Sequence, residues 1–138
     1  DRDVTGVQTC ALPILKGSLQ GWAFCRDNVE KCRDIVVAKG SKLGATHQLW
    51  QMNEVNKLIW PAANGVGVID TAAWDRTVSI ASGTKNLDGK TVLTKAPDAT
   101  SWTNDIVNEA VKQLTDAKVD VNGSSYKPVD VTLTEGGA

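Results

Sequence analysis

The chain has 138 residues, and its 15 lysines and arginines nearly balance 16 aspartates and glutamates, for a formal net charge of −1. This length suits one small domain or part of a larger one, and the near-neutral charge gives no argument for nucleic acid or an anionic membrane as a partner. The hydrophobic share of 41% is ordinary for a folded protein, and no apolar run approaches the roughly eighteen residues of a membrane-spanning helix.

The first fourteen residues are not expected to belong to the protein. Residues 4–14, VTGVQTCALPI, match the translation of a widely used sequencing adaptor at every position. We therefore interpret residues 1–14 as a translated adaptor artefact, and we expect residues 15–138 to be the protein itself. The alternative is a natural N-terminal strand, since this stretch is fairly apolar. Excluding it removes Cys10 and leaves an even pair, Cys25 and Cys32.

Two helices are predicted next. The first runs from residue 15 to 26, because apolar side chains recur at helical spacing: Leu15, Leu19, Trp22 and Ala23. Asp27 followed by Glu30 is a capping-box pattern and predicts a second helix from about residue 28 to 39, ended by Gly40. The predicted buried stripe of the second helix is Val29, Cys32, Ile35 and Val36.

Cys25 and Cys32 lie on either side of this helix junction. On one continuous helix they would be separated by about 10.5 Å along the axis. That exceeds the roughly 4.4–6.8 Å between Cα atoms that a disulfide spans. A helix break near Asp27 would remove the difficulty, so we predict a disulfide that fixes the corner. The alternative is two buried thiols.

The middle of the chain predicts two further helices. The third runs from about residue 46 to 60 and stops at Pro61, with an apolar stripe of Leu49, Met52, Val55, Leu58 and Ile59. A glycine-punctuated extended segment, residues 64–69, follows it. Asp70 then caps a fourth helix that runs to about residue 82, with a predicted buried face of Trp74, Val78 and Ala81.

Residues 86–99 are predicted to form a loop with a short strand at 91–94. A fifth helix runs from about residue 104 to 117, with Thr103 as its N-cap and a clean apolar stripe: Ile106, Val107, Ala110, Val111, Leu114 and Ala117. In the tail, apolar residues alternate at 119–121 and again at 129–133, and Asn122-Gly123 is a tight-turn signal. The chain on its own is therefore predicted to be mainly α.

No pattern in the sequence indicates catalysis or a bound metal. Zinc needs three or four ligands, and His47 with the two cysteines supplies three only if the cysteines are reduced. There is no nucleophile elbow and no phosphate-binding loop, and the Gly65-x-Gly67 pair lacks the third glycine of a dinucleotide site. We therefore expect no enzyme activity, no catalytic residue, no metal and no cofactor.

Five tryptophans are the unusual feature of the composition. Trp22 and Trp74 lie on predicted apolar helix faces and are expected in the core. Trp50 and Asn53 lie off the apolar stripe of the third helix, with Lys57 one turn further on. Trp50 and Asn53 are therefore our candidate ligand-binding residues, and burial in the core or an interface is the alternative reading.

The order of the segments resembles a known family. It resembles the C-terminal part of the NMT1/THI5-like solute-binding proteins of ABC transporters, which bind nitrate, sulfonates, taurine or pyrimidine precursors. The resemblance covers residues 15 to about 114. The matching segments are 15–22 (LKGSLQGW), 32–37 (CRDIVV), 48–61, 65–78 (GVGVIDTAAWDRTV) and 102–110 (WTNDIVNEA).

The resemblance implies a two-lobed α/β parent of the periplasmic-binding-protein-like II type, with this chain as a C-terminal fragment that lacks most of the ligand cleft. Such proteins are exported, either periplasmic or lipid-anchored at the outer face of the membrane, and the expected state is a monomer. They capture a small solute and deliver it to the permease subunits of the transporter. One branch of the family is enzymatic and uses iron with histidine, which His47 alone does not support. The alternative function is a free-standing helical protein-interaction module.

Overall fold

A computed structural model of the protein describes residues 4–40, 42 and 44–134. Within these ranges, five helices follow one another: α1 (Val4–Asp27), α2 (Val29–Ala38), α3 (Ala45–Ile59), α4 (Thr71–Gly83) and α5 (Asp105–Asp116). The described part contains no paired strands beyond one isolated antiparallel bridge between Lys85 and Thr91. The prediction of a mainly α chain is confirmed.

The core lies along the seam between α1 and α5. The apolar stripe predicted for α5 faces α1, except for Ala117, which is exposed after the end of the helix. The loop after α3 and the segment after α5 close the seam from the side. The buried cluster consists of Leu19, Trp60, Val66, Val107, Ala110, Leu114 and Val121. Partly buried Leu12 and Leu15 extend it toward the start of α1, so the described residues of the adaptor-like segment continue the helix rather than form a strand.

The glycine-punctuated segment crosses directly over this core. Val66 N–H donates to the carbonyl of Val121 at 2.9 Å, which ties the segment to the tail. Gly67 has φ +86°, and a Cβ at that position would lie 2.9 Å from Cδ2 of Leu19. Glycine is therefore required both by the backbone conformation and by the closeness of α1.

Polar side chains fix the ends of α4 and α5. Asp70 Oδ1 accepts a 2.7 Å hydrogen bond from the N–H of Ala73, so the predicted cap of α4 is confirmed. The N-cap of α5 is Asn104, not Thr103 as predicted. The Asn104 side-chain amide pairs with both backbone groups of Ile69, at 3.0 and 2.9 Å, and this pairing holds the glycine segment against α5.

The predicted disulfide joins Cys25 to Cys32, with 5.5 Å between their Cα atoms. The helix break that allows it lies at Asn28, between α1 and α2. The predicted capping box is wrong: Asn28 is the N-cap and makes no side-chain cap bond. The Asp27 carboxylate binds the guanidinium of Arg26 and is therefore engaged elsewhere.

Several burial predictions are also wrong. Among the predicted stripe of α2 only Cys32 is buried, while Ile35 is 54% exposed and Val36 is exposed as well. Leu58 on α3 is 88% exposed, and Trp22 is exposed instead of lying in the core. The helix α4 has no fully buried residue. Its predicted face, which includes Trp74, is half-buried, and the ring of Trp74 contacts that of Trp102.

The alternating apolar residues of the tail do not form strands. Residues 119–134 carry no strand pairing. Instead, Asp120 Oδ1 accepts hydrogen bonds from the N–H groups of Asn122 and Gly123, at 3.0 and 2.8 Å. The Tyr126 N–H donates to the carbonyl of Gly123 at 3.0 Å, so a backbone turn follows Gly123. The segment at 91–94 forms only the single bridge at Thr91.

Candidate functional site

The two candidate ligand residues have different environments. Trp50 is 38% exposed on α3, and its ring lies 5.7 Å from that of His47. Asn53 is 3% exposed, and its Oδ1 accepts a 3.0 Å hydrogen bond from the N–H of Val129. Asn53 therefore anchors the tail to α3. Neither residue lines the three grooves described below, so the structure does not bring the pair together around a cavity.

Three open grooves border α1. The loop groove, about 520 Å³, lies between α1 and residues 59–70. The α1–α3 groove, about 470 Å³, is lined by Ser18, Gly21, Trp22, Cys25, Gln48, Gln51, Met52 and Val55. The α1–α5 groove, about 550 Å³, lies between Ile14 and Ile106. Asp70 in the loop groove is the single charged residue that lines any of them.

This lining offers little for acid–base or nucleophilic chemistry. Cys25 is held in the disulfide, the carboxylate of Asp70 caps α4, and the remaining linings are apolar side chains, amides and hydroxyls. In the described ranges no three histidine, cysteine or carboxylate side chains are grouped so that they could hold a metal ion. What the grooves can do chemically is bind apolar or aromatic surfaces.

The strongest polar cluster is centred on Arg26 and lies at the far end of the core. Its guanidinium forms two hydrogen bonds to the carboxylate of Asp27, at 2.7 and 2.8 Å, and one to the carbonyl of Asp120 at 2.8 Å. It also lies 4.6 Å from the ring centroid of Trp60. The hydrogen bonds that Arg26 donates to Asp27 raise the pKa of Arg26 above its ordinary value, so the side chain stays charged although it is buried.

Trp60 is held from its other side by α3. Its indole N–H donates to Oδ1 of Asn56 at 3.2 Å, and Asn56 is fully buried. Within the described residues, Asn56 Nδ2 is the buried side-chain polar atom without a hydrogen-bond partner. A Cβ at Gly123 would lie 2.6 Å from the Trp60 ring, and therefore only glycine fits against it.

Sequence reasoning missed this cluster. Arg26 was predicted only as the last residue of the first helix, and Asn56 lies outside the predicted apolar stripe. One signal was present, since Asn56 and Trp60 are four residues apart, the spacing at which helical side chains meet. The pairing of Arg26 with the turn at Asp120 joins residues 94 apart in sequence, which local patterns do not reveal.

No protein family, curated protein or solved structure matches the chain. The resemblance to solute-binding proteins therefore rests on the segments quoted above.

Proposed function

We propose that the chain is the C-terminal part of the solute-binding component of an ABC importer. The component captures a small molecule outside the membrane and delivers it to the permease subunits. The order and spacing of the five segments between residues 15 and 110 carry this proposal. The ligand cleft lies mainly between lobes that precede this chain, and Trp50 is the residue of this part with an exposed aromatic ring on α3.

The exposed apolar side chains support a role as part of a larger protein. Amphipathic helices are stable when their apolar faces pack against another layer. Here Phe24 on α1, Ile35 on α2 and Leu58 on α3 are exposed, and the loop groove and the α1–α3 groove border the part of α1 that follows residue 14. In the proposed parent, sheets encoded upstream cover these faces.

The disulfide supports an exported protein, since structural disulfides persist mainly in oxidising compartments. Periplasmic or lipid-anchored placement is part of the proposal. In the described residues, the structure has no helix with the length and apolar character to cross a membrane.

The decisive test is the coding sequence in genomic DNA, read without adaptors. We expect it to continue upstream of the Leu15 codon into alternating strand–helix units and an export signal. The protein expressed from that gene should gain thermal stability with a small solute when screened against nitrate, sulfonates, pyrimidines and aromatic acids. A start codon directly before Leu15, or no stabilising solute in the screen, would contradict the proposal.

The second candidate is a free-standing helical interaction module, which the continuous α1–α5 core favours. A module folds alone, so residues 15–138 should unfold in one sharp transition when helicity is followed by circular dichroism. The importer proposal expects a broad, weakly cooperative transition, because faces meant for missing sheets remain in water.

A further inference from the structure

The attachment of α2 to the rest of the molecule depends on one half of the disulfide. Cys32 is the only buried residue of this helix, and the N-cap residue Asn28 makes no side-chain cap bond. Three consecutive apolar residues in the second half of α2 are exposed: Ile35, Val36 and Val37. The helix borders α3 and, more weakly, α1, but it contributes no other side chain to a buried core. Apart from the covalent bond, α2 is held by packing against α3 that buries no further side chain of α2.

The two cysteines of this bond differ in exposure. Cys32 is 4% exposed, whereas Cys25 is half-buried and lines the α1–α3 groove. The groove, of about 470 Å³, has no charged lining residue, and it is open to a small uncharged molecule. An incoming thiol therefore meets Cys25 first.

The two sulfurs also differ as leaving groups. Cys32 is the fourth residue of α2, and its N–H donates to the carbonyl of Asn28 in the first turn. The positive end of the helix dipole lies there and stabilises a thiolate. Cys25 lies two residues before the end of α1, where the dipole has the opposite sign. Cleavage that expels the Cys32 sulfur is therefore favoured, because the more stable thiolate leaves faster.

We propose that Cys25 is a thiol-exchange site, and that its reaction with a small dithiol releases α2 while the α1–α5 core stays folded. A thiolate of the dithiol attacks the Cys25 sulfur, the S–S bond breaks, and Cys32 leaves as a thiolate that takes up a proton. The second thiol of the reagent then attacks the mixed disulfide, releases Cys25 as a thiol and closes the oxidised dithiol. Two electrons pass from the reagent to the protein. This proposal does not depend on the proposed function in an ABC importer.

The site of attack is tested by trapping. In the Cys10→Ser variant, which removes the exposed free thiol, brief exposure to 2-mercaptoethanol is stopped with N-ethylmaleimide at low conversion, and the products are mapped by mass spectrometry. We expect the mercaptoethanol adduct on Cys25 and the maleimide on Cys32, with a roughly tenfold excess over the reverse pattern. Equal amounts, or the reverse pattern, would overturn the assignment of Cys25.

The release of α2 is tested by amide hydrogen exchange in the same variant before and after dithiothreitol. Exchange in residues 29–38 should accelerate by about tenfold or more, while residues 105–116 of α5 change by less than about twofold. Replacing both Cys25 and Cys32 by alanine should give the same pattern without reductant. Unchanged exchange in α2 overturns the proposal, and so does an equal acceleration in α5, because that would mean global unfolding.

Discussion

Arg26 joins three separate parts of the chain with one side chain. It lies in the last turn of α1, contacts the ring of Trp60 after α3, and donates to the carbonyl of Asp120 in the turn after α5. Its side chain is 4% exposed, but the carboxylates of Asp27 and Asp120 remain about half-exposed. When the guanidinium is removed, water can solvate these two carboxylates. The loss of stability therefore comes from the unpaired carbonyl of Asp120, the lost contact with the Trp60 indole and the lost packing.

Replacing Arg26 by methionine, which keeps most of the stem, should lower the free energy of unfolding by about 2–3 kcal/mol. Urea unfolding followed by tryptophan fluorescence measures it. Arg33→Met is the matched control, since Arg33 pairs with Asp34 at the surface in the same i, i+1 arrangement. That change should cost under about 1 kcal/mol. If both variants lose equal stability, the buried cluster is not the reason.

Tyr126 predicts a loss of stability at alkaline pH. Burial raises the pKa of its phenol above the ordinary value of 10.0. The folded state therefore holds the phenolic proton more tightly than the unfolded state, and stability falls as the pH rises through the unfolded and then the folded pKa.

Tyr126 is the single tyrosine of the chain, so absorbance at about 295 nm titrates it alone. The midpoint should lie higher in the folded protein than in urea. The Tyr126→Phe variant should lose less stability than the unchanged chain as the pH rises from about 9 to 11. Identical midpoints in the folded and unfolded protein would show that the phenol is not buried.

At the scale of the elements, local patterns predicted the helices well and their environment poorly. The five helices and the cap at Asp70 follow from side-chain spacing and capping chemistry, which act over a few residues. The exposure of Ile35 and Leu58 could not be predicted, because periodicity identifies an apolar face without showing what covers it. For the candidate site the same limit applies: polarity favoured Asn53 as a ligand residue, whereas long-range packing with Val129 buries it.

The helix α4 depends on its cap because it has no buried residue. Replacing Asp70 by alanine removes the acceptor for the Ala73 N–H and should cost about 1 kcal/mol locally, which is a roughly fivefold faster amide exchange in the first turn. Asp75→Ala, at an exposed position on the same helix, should leave that exchange unchanged within about twofold. Equal effects of the two variants would contradict a specific capping role.

Two glycines provide a matched pair that tests how closely the loop approaches α1. Alanine at Gly67 would need a left-handed backbone and would collide with Leu19, so it should lower the free energy of unfolding by about 1–3 kcal/mol. Alanine at Gly17, in α1, would meet no atom within 4 Å and should raise it by about 0.5–1 kcal/mol through helix propensity. Urea unfolding shows whether each variant lowers or raises the free energy of unfolding. An unchanged free energy of unfolding in Gly67→Ala would contradict the close approach of the loop to α1.

At the scale of the whole molecule, apolar surface divides into one buried seam and several uncovered faces. The seam between α1 and α5 contains the buried cluster, whereas α2, α3 and α4 leave large apolar side chains in water. The hydrophobic contribution to the stability of this chain should therefore come mainly from the seam, and truncating exposed apolar residues elsewhere should have little effect.

Two leucines test this division. Leu114 on α5 is 1% exposed, and its replacement by alanine should lower the free energy of unfolding by about 2–5 kcal/mol through lost burial and a new cavity. Leu58→Ala on α3 should change it by less than about 0.5 kcal/mol, since that side chain already lies in water. Urea unfolding of the unchanged chain and both variants gives the comparison. A cost above about 1 kcal/mol for Leu58→Ala would mean that another part of the protein, or a second copy, covers α3 in solution.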